Sequence, residues 1–216
     1  INSPDKPFIG HSIVAGATEC GKTWSQKERA LRCLNSKKSS RRRVLWFSSE
    51  WDSDKTLKEL KKDKYSEYVT GKEISDSAVK DSQYDSAAEF FKGEIEMVVD
   101  NAPPSSLLVF DDPVDCCGEF QADVRRLLNK LLRVGRHKQQ NLIFILHRIR
   151  SGAWSVQGSN SCKYFWLFPR SQKGACRDFL NTSLGLTLGE SRRMVSDFSS
   201  SGRYMIAHLF HPNCLI

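Results

Sequence analysis

Eight consecutive residues in the amino-terminal part of the sequence constrain its fold more than any other feature. They read Gly16-Ala17-Thr18-Glu19-Cys20-Gly21-Lys22-Thr23 and match the pattern Gly-x-x-x-x-Gly-Lys-Thr. The apolar run 8–15 precedes them, and an amphipathic run starts at Thr23. A strand, a tight loop and a helix in this order bring backbone N–H groups and the positive end of the helix around an anion. The stretch therefore predicts a phosphate-binding loop, and a chance glycine-rich turn is the alternative.

The positions in this loop have distinct expected roles around a nucleoside triphosphate. Lys22 is expected to reach the β- and γ-phosphates, where it would also act in catalysis, and the Thr23 hydroxyl is expected to ligate Mg²⁺. The Glu19 side chain is expected to point to solvent. The predicted nucleotide-binding residues are Gly16, Ala17, Thr18, Glu19, Cys20, Gly21, Lys22, Thr23 and Trp24. The expected ligands are ATP and Mg²⁺.

Short apolar segments alternate with segments of helical periodicity along the chain. Strands are predicted at 8–15, 44–47, 105–110, 141–146, 164–168 and 203–209. Helices are predicted at 23–34, 86–101, 120–134, 173–180 and 189–198. This alternation predicts the α/β class: a P-loop NTPase of the RecA/ASCE-like kind, with a mostly parallel central sheet flanked by helices on both faces. The length of 216 residues predicts a single domain over 1–216, with a polar insertion around 51–85 in which only a short helix, Asp54 to Lys61, is expected.

The overall charge and the cysteine content narrow the range of partners and compartments. Thirty-three Lys and Arg against 25 Asp and Glu give a net charge of +8. This excess favours a polyanionic partner, and a solvated basic surface is the alternative. Seven cysteines without a C-x-x-C spacing indicate a reduced, intracellular protein rather than a disulfide scaffold or a zinc site. No apolar run reaches membrane-spanning length and no signal peptide is recognisable, so no membrane partner is expected.

A second motif consists of four apolar residues followed by Asp111 and Asp112. The carboxyl ends of parallel strands face the ligand crevice, so both carboxylates are expected there. Asp111 is predicted to hold Mg²⁺ through water, as the acidic partner of Thr23. Asp112 is predicted to be the general base that polarises the attacking water. Two alternatives stay open: Asp112 precedes Pro113 and would suit a helix N-cap, and Glu50 is a rival base.

Polar and basic residues flank the strand predicted at 141–146. His147 follows its end and is expected to contact the γ-phosphate, with an ordinary hydrogen-bonded histidine as the alternative. The neighbouring arginines are candidates to neutralise transition-state charge across a subunit interface or to bind a nucleic-acid backbone. A solvated face is the alternative for each of them, and for the basic run Lys37–Arg43. The candidates for the arginine that acts across a subunit interface are Arg136, Arg133 and Arg148 near this strand and Arg203 further along the chain.

The ordered set of motifs resembles the genome-packaging ATPases of double-stranded DNA viruses. The resemblance is to the branch of the FtsK–HerA superfamily found in poxviruses, giant viruses, virophages and Maverick/Polinton elements. It spans nearly the whole chain, and one departure is that the family commonly has Gln where this sequence has His147. The motifs that carry it are Gly16–Thr23, Leu107–Asp112, Gly135-Arg136-His137, Asn141–Leu146, Tyr164–Ser171 and Gly202–Met205.

The resemblance implies an ATPase that forms a ring, hexameric or pentameric, and translocates duplex DNA without regard to sequence. It implies packaging of a viral genome, capsid or portal proteins as partners, and a location in the host cytoplasm or nucleus or in the virion. It also implies an arginine supplied in trans, for which Arg136 in the Gly-Arg-His stretch is the first candidate. One alternative is a superfamily-3-type replicative helicase of a small virus, which would have Asn at the position of His147. The other is a P-loop NTPase that does not act on DNA, such as a switch or a small-molecule phosphotransferase; the Asn-Lys-x-Asp motif of GTPase switches is absent from the sequence.

Overall fold

The computed structural model describes residues 10–35, 42–149, 161–202, 204–209 and 214–215. These residues form two compact units. The first unit contains the described residues of Ile1–Gly10 and Thr23–Phe144, and the second those of His11–Lys22 and Ile145–Ile216. The expectation of one domain over the whole chain stays a prediction.

Strands and helices alternate as the sequence pattern predicts. The strands are β1 Ser12–Ala15, β2 Val44–Ser48, β3 Val69–Glu73, β4 Leu107–Asp111, β5 Asn141–Leu146, β6 Tyr164–Leu167, β7 Met205–His208 and β8 Cys214–Leu215. The helices are α1 Lys22–Asn35, α2 Asp76–Lys80, α3 Ala87–Phe90, α4 Met97–Asp100, α5 Pro113–Cys116, α6 Gln121–His137, α7 Lys173–Leu184 and α8 Leu188–Ser201. A π-helical segment, Phe91–Glu96, joins α3 to α4, and 3-10 turns lie at Lys55–Glu59 and Asp63–Tyr65.

The sheet of the first unit has the strand order β3-β2-β4-β5, to which β5 contributes its residues up to Phe144. β2 pairs in parallel with both β3 and β4, and Ser48 lies opposite both Glu73 and Asp111. The three strands therefore end at the same edge. Every residue of β2, β4 and β5 is buried, and since successive side chains point to opposite faces, both faces of the sheet are covered. The predicted α/β class, with a mostly parallel sheet flanked by helices, is confirmed.

Aromatic side chains form the centre of the core in the first unit. The Phe47 and Phe110 rings stack at 4.8 Å, and the Phe110 and Phe144 rings at 5.6 Å. These residues come from the three neighbouring strands β2, β4 and β5. Stacked aromatic side chains of neighbouring strands stabilise the pairing of those strands within the unit.

The polar insertion contains three elements that the sequence pattern does not predict: the 3-10 turn Asp63–Tyr65, α2 and β3. β3 is the edge strand in the order of the first unit. Its Gly71 lies under the Trp51 ring, because a Cβ there would come within 1.7 Å of that ring. The predicted helix Asp54 to Lys61 is a shorter 3-10 turn, Lys55–Glu59, for which the Asp54 side chain accepts a hydrogen bond from the Thr56 N–H.

The second unit combines parallel and antiparallel pairing, in the order β1-β6-β7-β8. β1 pairs in parallel with β6, whereas β6–β7 and β7–β8 are antiparallel. β1 is shorter than the predicted strand, whose first residues lie outside the described part of the chain, as does Arg203 before β7. α8 begins with a capping box between Thr187 and Glu190. Among the described residues, no helix has both the length and the apolar character needed to cross a membrane.

Candidate nucleotide-binding site

The predicted phosphate loop is a tight turn between β1 and α1. The Gly16 N–H donates a hydrogen bond to the Leu146 carbonyl at 3.2 Å. A Cβ on Gly16 would lie 2.6 Å from the Cys20 sulfur and 2.8 Å from Cβ of Phe168, so the turn closes this tightly only with glycine. Gly21 has φ +94°, which L side chains rarely adopt. The first and sixth positions of the motif are therefore required by backbone geometry.

Lys22 folds back over the loop. Its side chain is buried, with 5% of the residue exposed, and its ammonium donates to the Gly16 carbonyl at 2.7 Å and to the Ala17 carbonyl at 3.0 Å. A buried ammonium held by carbonyl oxygens can exchange these acceptors for phosphate oxygens, which accept charge-assisted hydrogen bonds more strongly. This position is compatible with the role of Lys22 at the phosphates, which stays a prediction.

His147 lies next to the loop, at the end of β5. Its Nδ1 is 3.4 Å from the Lys22 Nζ and 3.4 Å from the Thr18 Oγ1. The structure thus brings together three predicted site residues of the second unit, from the loop and from the strand end. Thr18 is exposed and His147 is half-buried, so an incoming phosphate group has access to both.

In the first unit, Thr23 and Asp111 form a second cluster. The Thr23 Oγ1 donates a hydrogen bond to the Asp111 Oδ2 at 3.0 Å. Asp111 is the last residue of β4 and is 7% exposed. A hydroxyl and a carboxylate at this separation are the oxygen ligands that Mg²⁺ prefers, with waters filling the rest of its octahedral shell. The residues present therefore fit the predicted metal.

Asp112 follows in a left-handed backbone conformation, with φ 48° and ψ 43°. It occupies the N-cap position of α5, but its side chain makes no cap hydrogen bond. The alternative role as a hydrogen-bonding N-cap is therefore not supported. A non-glycine residue in this conformation costs of order 1 kcal/mol, and such strain is concentrated at functional sites. Glu50, the rival base, is exposed and lies two residues beyond Ser48, which is opposite Asp111.

The structure describes the side chains of some of the remaining predicted site residues but not of others. Trp24 is 47% exposed in the first turn of α1, and Glu19 is exposed with φ 62°, so its side chain is directed to solvent as predicted. Arg136 belongs to α6, which extends beyond the predicted end at Val134, and the position of its side chain lies outside the described part of the structure. The arginines Arg133 and Arg148 are exposed, whereas Arg203 and most of the run Lys37–Arg43 lie outside the described residues.

Two residues at the loop are absent from the predicted site residues, although Ser171 ends one of the stretches that carry the family resemblance. Ser171 Oγ accepts a hydrogen bond from the Ala17 N–H at 3.2 Å. Gln172 Nε2 donates to the His147 carbonyl. Both follow the carboxyl end of β6, which pairs in parallel with β1. That position, where parallel sheets bind their ligands, is the one signal that could have indicated them.

Fold and loop together define the class: the chain has the fold of the P-loop ATPases. Its sequence matches no family model and no curated protein. The B204 genome packaging NTPase of Sulfolobus turreted icosahedral virus 2, in complex with ATP-gammaS, aligns with a TM-score of 0.57 at 11% identity, over 100% of this chain and 97% of that chain. B204, the DNA-packaging ATPase from Sulfolobus turreted icosahedral virus, aligns with a TM-score of 0.55 at 11% identity, over 98% and 97% of the two chains.

A secretion ATPase has a similar fold. The cytoplasmic domain of the Thermomonospora curvata type VII secretion ATPase EccC aligns with a TM-score of 0.55 at 16% identity, over 98% of this chain. This chain spans only 25% of that one. At these identities the similarity establishes the fold, and at that level the resemblance to the viral packaging ATPases is confirmed.

Proposed function

We propose that this protein is an ATPase that uses ATP hydrolysis to translocate double-stranded DNA, in the packaging of a viral genome. The observation that carries the ATPase proposal is the pairing of Thr23 with Asp111, directly after a loop lysine that already contacts the loop carbonyls. Lys22 and Thr23 are consecutive, so one nucleotide would engage both.

Nucleotide binding follows from the groups around the loop. The phosphates of the nucleotide lie against the backbone N–H groups of Gly16–Thr23 and against the next residue, Trp24. Lys22 pairs with the β- and γ-phosphates. Thr23 and Asp111 would hold Mg²⁺, which would supply charge neutralisation at the phosphate oxygens.

Hydrolysis requires a proton acceptor for the attacking water. As water oxygen bonds to the γ-phosphorus, the bond to the β-γ bridging oxygen breaks and ADP leaves, while Asp112 takes the water proton. His147, beside Lys22 and Thr18, hydrogen-bonds the γ-phosphate and aligns it. An arginine from the next protomer, Arg136 in the first instance, neutralises the developing charge.

An exposed cationic surface on α6 supports DNA as the partner. A groove of about 330 Å³ is lined by Arg126, Asn129, Lys130, Arg133 and Val134. The Arg126 side chain is 80% exposed and lies 3.7 Å from the Asp123 carboxylate. Arg133 is exposed as well, and Lys130 pairs with Glu96. Phosphate contacts from such residues bind duplex DNA independently of sequence, which suits a motor that moves along any genome.

Assembly and location complete the proposal. The protein forms a homo-oligomeric ring of six or five copies around the duplex and works in the infected host cell or the virion, with capsid or portal proteins as partners. The share of each relative that aligns with this chain supports a packaging ATPase over a secretion ATPase. This chain aligns with nearly all of B204 but with only a quarter of the EccC chain. A replicative helicase remains the second candidate among DNA motors.

The experiment is an ATPase assay of the purified full chain with no DNA, with blunt duplex, with forked DNA and with polypeptide. Stimulation by blunt duplex, together with a ring-sized particle in the presence of Mg²⁺ and a non-hydrolysable ATP analogue, is the expected result. Preference for the fork indicates a helicase. Stimulation by polypeptide alone, or hydrolysis that ignores every polymer, contradicts DNA translocation.

A further inference from the structure

The segment that follows β6, Phe168 to Gln172, is packed against the phosphate loop. The Phe168 N–H donates to the Ala15 carbonyl at 3.2 Å, and the Phe168 side chain fills the space beside Gly16 that a Cβ would need. The Ser171 N–H closes the turn onto the Phe168 carbonyl at 3.3 Å. The turn is thus fixed to the strand that leads into the loop.

The hydroxyl of Ser171 is held by hydrogen bonds on both its donor and acceptor sides. It donates its hydrogen to the Phe168 carbonyl at 2.9 Å and accepts from the Ala17 N–H at 3.2 Å. A hydroxyl has one hydrogen and two acceptor lone pairs. The hydrogen of Ser171 holds the side chain to its own turn, and one lone pair fixes the Ala17 N–H inside the loop.

Gln172 makes the corresponding contact to His147. Its Nε2 donates to the His147 carbonyl, and its own backbone carbonyl accepts from the Cys176 N–H at 2.9 Å in the first turn of α7. The Oε1 atom of Gln172 is buried and has no hydrogen-bond partner among the described residues. Buried polar atoms without a hydrogen-bond partner are uncommon in protein interiors. An apolar side chain would fill the same space without this cost, so the amide of Gln172 has a role other than packing.

Arg170 anchors the same turn from its other side. Its Nε donates to the Ser199 carbonyl at 2.7 Å and its Nη2 to the Ser200 carbonyl at 3.4 Å. These carbonyls lie in the last turn of α8, where unpaired acceptors favour a cation. The turn is therefore tied to α8, to β1 and to α7, and it presents Ser171 and Gln172 from a fixed base.

We propose that Ser171 and Gln172 are positioning residues for the ATP hydrolysis proposed above. Ser171 sets the conformation of the loop that receives the phosphates, and Gln172 sets the backbone of His147 and so the place of its imidazole at the γ-phosphate. Because the two residues are consecutive, the loop and His147 are aligned by one turn. The inference rests on the proposed function, and it assigns separate effects: Ser171 acts on nucleotide affinity, and Gln172 acts on turnover.

The test compares Ser171→Ala and Gln172→Met in the full chain with matched controls. Ser82→Ala removes a hydroxyl that likewise donates to a carbonyl, that of Val79, and accepts from an N–H, that of Tyr84. Asn181→Leu removes an amide that donates to the Leu186 carbonyl. Affinity is measured with Mg²⁺ and AMPPCP, and turnover as kcat with ATP. Thermal unfolding identifies any variant that fails to fold. If Gln172→Met does not fold, Gln172→Glu replaces it, because the glutamate carboxylate has the shape of the amide but cannot donate a hydrogen bond.

We expect one variant to change the affinity for AMPPCP and the other to change kcat. Ser171→Ala weakens AMPPCP binding by about three- to tenfold, the usual effect of one hydrogen bond, and Gln172→Met lowers kcat about tenfold with affinity within about twofold of wild type. The controls change neither. If wild type is active and both variants match their controls, or if each variant changes affinity and kcat in proportion, the positioning roles are overturned and the ATPase proposal stands. If wild type neither binds AMPPCP nor hydrolyses ATP, the proposed function fails and this inference falls with it.

Discussion

The Thr23 hydroxyl and the Asp111 carboxylate meet at 3.0 Å although 88 residues separate them in the sequence. One belongs to the first turn of α1 and the other ends β4. Two oxygen ligands of this kind, brought together by different elements of the first unit, would suit the proposed Mg²⁺, a small hard cation.

The first prediction follows from that contact. Thr23→Val, which keeps the shape and removes the hydroxyl, should weaken ATP binding in Mg²⁺ by about tenfold and leave binding in EDTA unchanged, because the substitution affects only the metal-dependent part of the affinity. Asp111→Asn should behave in the same way. Isothermal titration with and without EDTA measures both. Equal losses in Mg²⁺ and in EDTA would show that the residues support the loop and do not hold a metal.

The second prediction concerns the loop lysine. Lys22→Ala should weaken ATP binding by at least about tenfold, since a charge-assisted hydrogen bond to a phosphate contributes roughly 1.5–3 kcal/mol. The fold should persist, because the loop geometry is set by Gly16 and Gly21. A binding titration checks the first statement and circular dichroism the second. Unchanged affinity in a folded variant would remove the loop from the proposed site.

Elements that a local sequence pattern encodes could be predicted, whereas elements that depend on long-range contacts could not. β4 is predictable because its five residues are all buried, so the apolar run itself carries the signal. β3 gives no such signal. Its residues are mostly half-buried, and it is stabilised by pairing with β2 and by the Trp51 ring over Gly71, contacts that no local periodicity encodes.

The candidate site shows the same division. The phosphate loop is a fixed spacing within eight residues, and the strand-end position of Asp111 follows from the run before it. The contact between Ala17 and Ser171 joins residues 154 positions apart, and that between His147 and Gln172 spans 25. Ser171 ends one of the stretches that carry the family resemblance, but neither that stretch nor Gln172 after it has a spacing that assigns a role at the loop, so only the folded chain reveals the two contacts.

The third prediction separates the two candidate bases. Asp112→Asn should retain Mg²⁺-dependent ATP binding while kcat falls by roughly two to four orders of magnitude, the usual contribution of a positioned base. Glu50→Gln, at the exposed position beyond β2, should retain most of the activity. Single-turnover hydrolysis after pre-equilibration with ATP measures the chemical step for both. An active Asp112→Asn beside an inactive Glu50→Gln would transfer the role to Glu50.

The fourth prediction tests the α6 groove as the DNA surface. Replacing Arg126 and Arg133 with Ala should weaken binding of every duplex alike and lower the slope of log K against log salt by about two, one for each phosphate that an arginine no longer neutralises. The control replaces Arg192 and Arg193 of α8, both exposed, which removes the same charge elsewhere. Fluorescence anisotropy at several salt concentrations is the measurement. Equal effects of the two double variants would mean that net charge, and not this groove, governs binding.

The fifth prediction concerns an arginine supplied between protomers. The proposed site residues Lys22, Thr23, Asp111 and Asp112 would bring only one protein cation to the γ-phosphate. Phosphoryl transfer is accelerated by a further arginine that neutralises the charge of the transition state. Arg136 is the first candidate, because it belongs to the Gly-Arg-His stretch just before β5.

Subunit mixing distinguishes a trans arginine from one that acts within its own chain. Arg136→Ala and Lys22→Ala should each be inactive alone, yet their mixture should regain activity, since some interfaces then pair an intact loop with an intact arginine. Random mixing in equal amounts makes such interfaces about one quarter of the total, which sets the expected recovery if each interface works independently and one intact pair suffices. The control mixes Lys22→Ala with Asp112→Asn, two changes in one protomer's own site, and should recover nothing. If co-assembly is confirmed by mass and the Arg136→Ala mixture stays as inactive as that control, Arg136 acts in cis or not at all, and Arg133 and Arg148 are the next candidates.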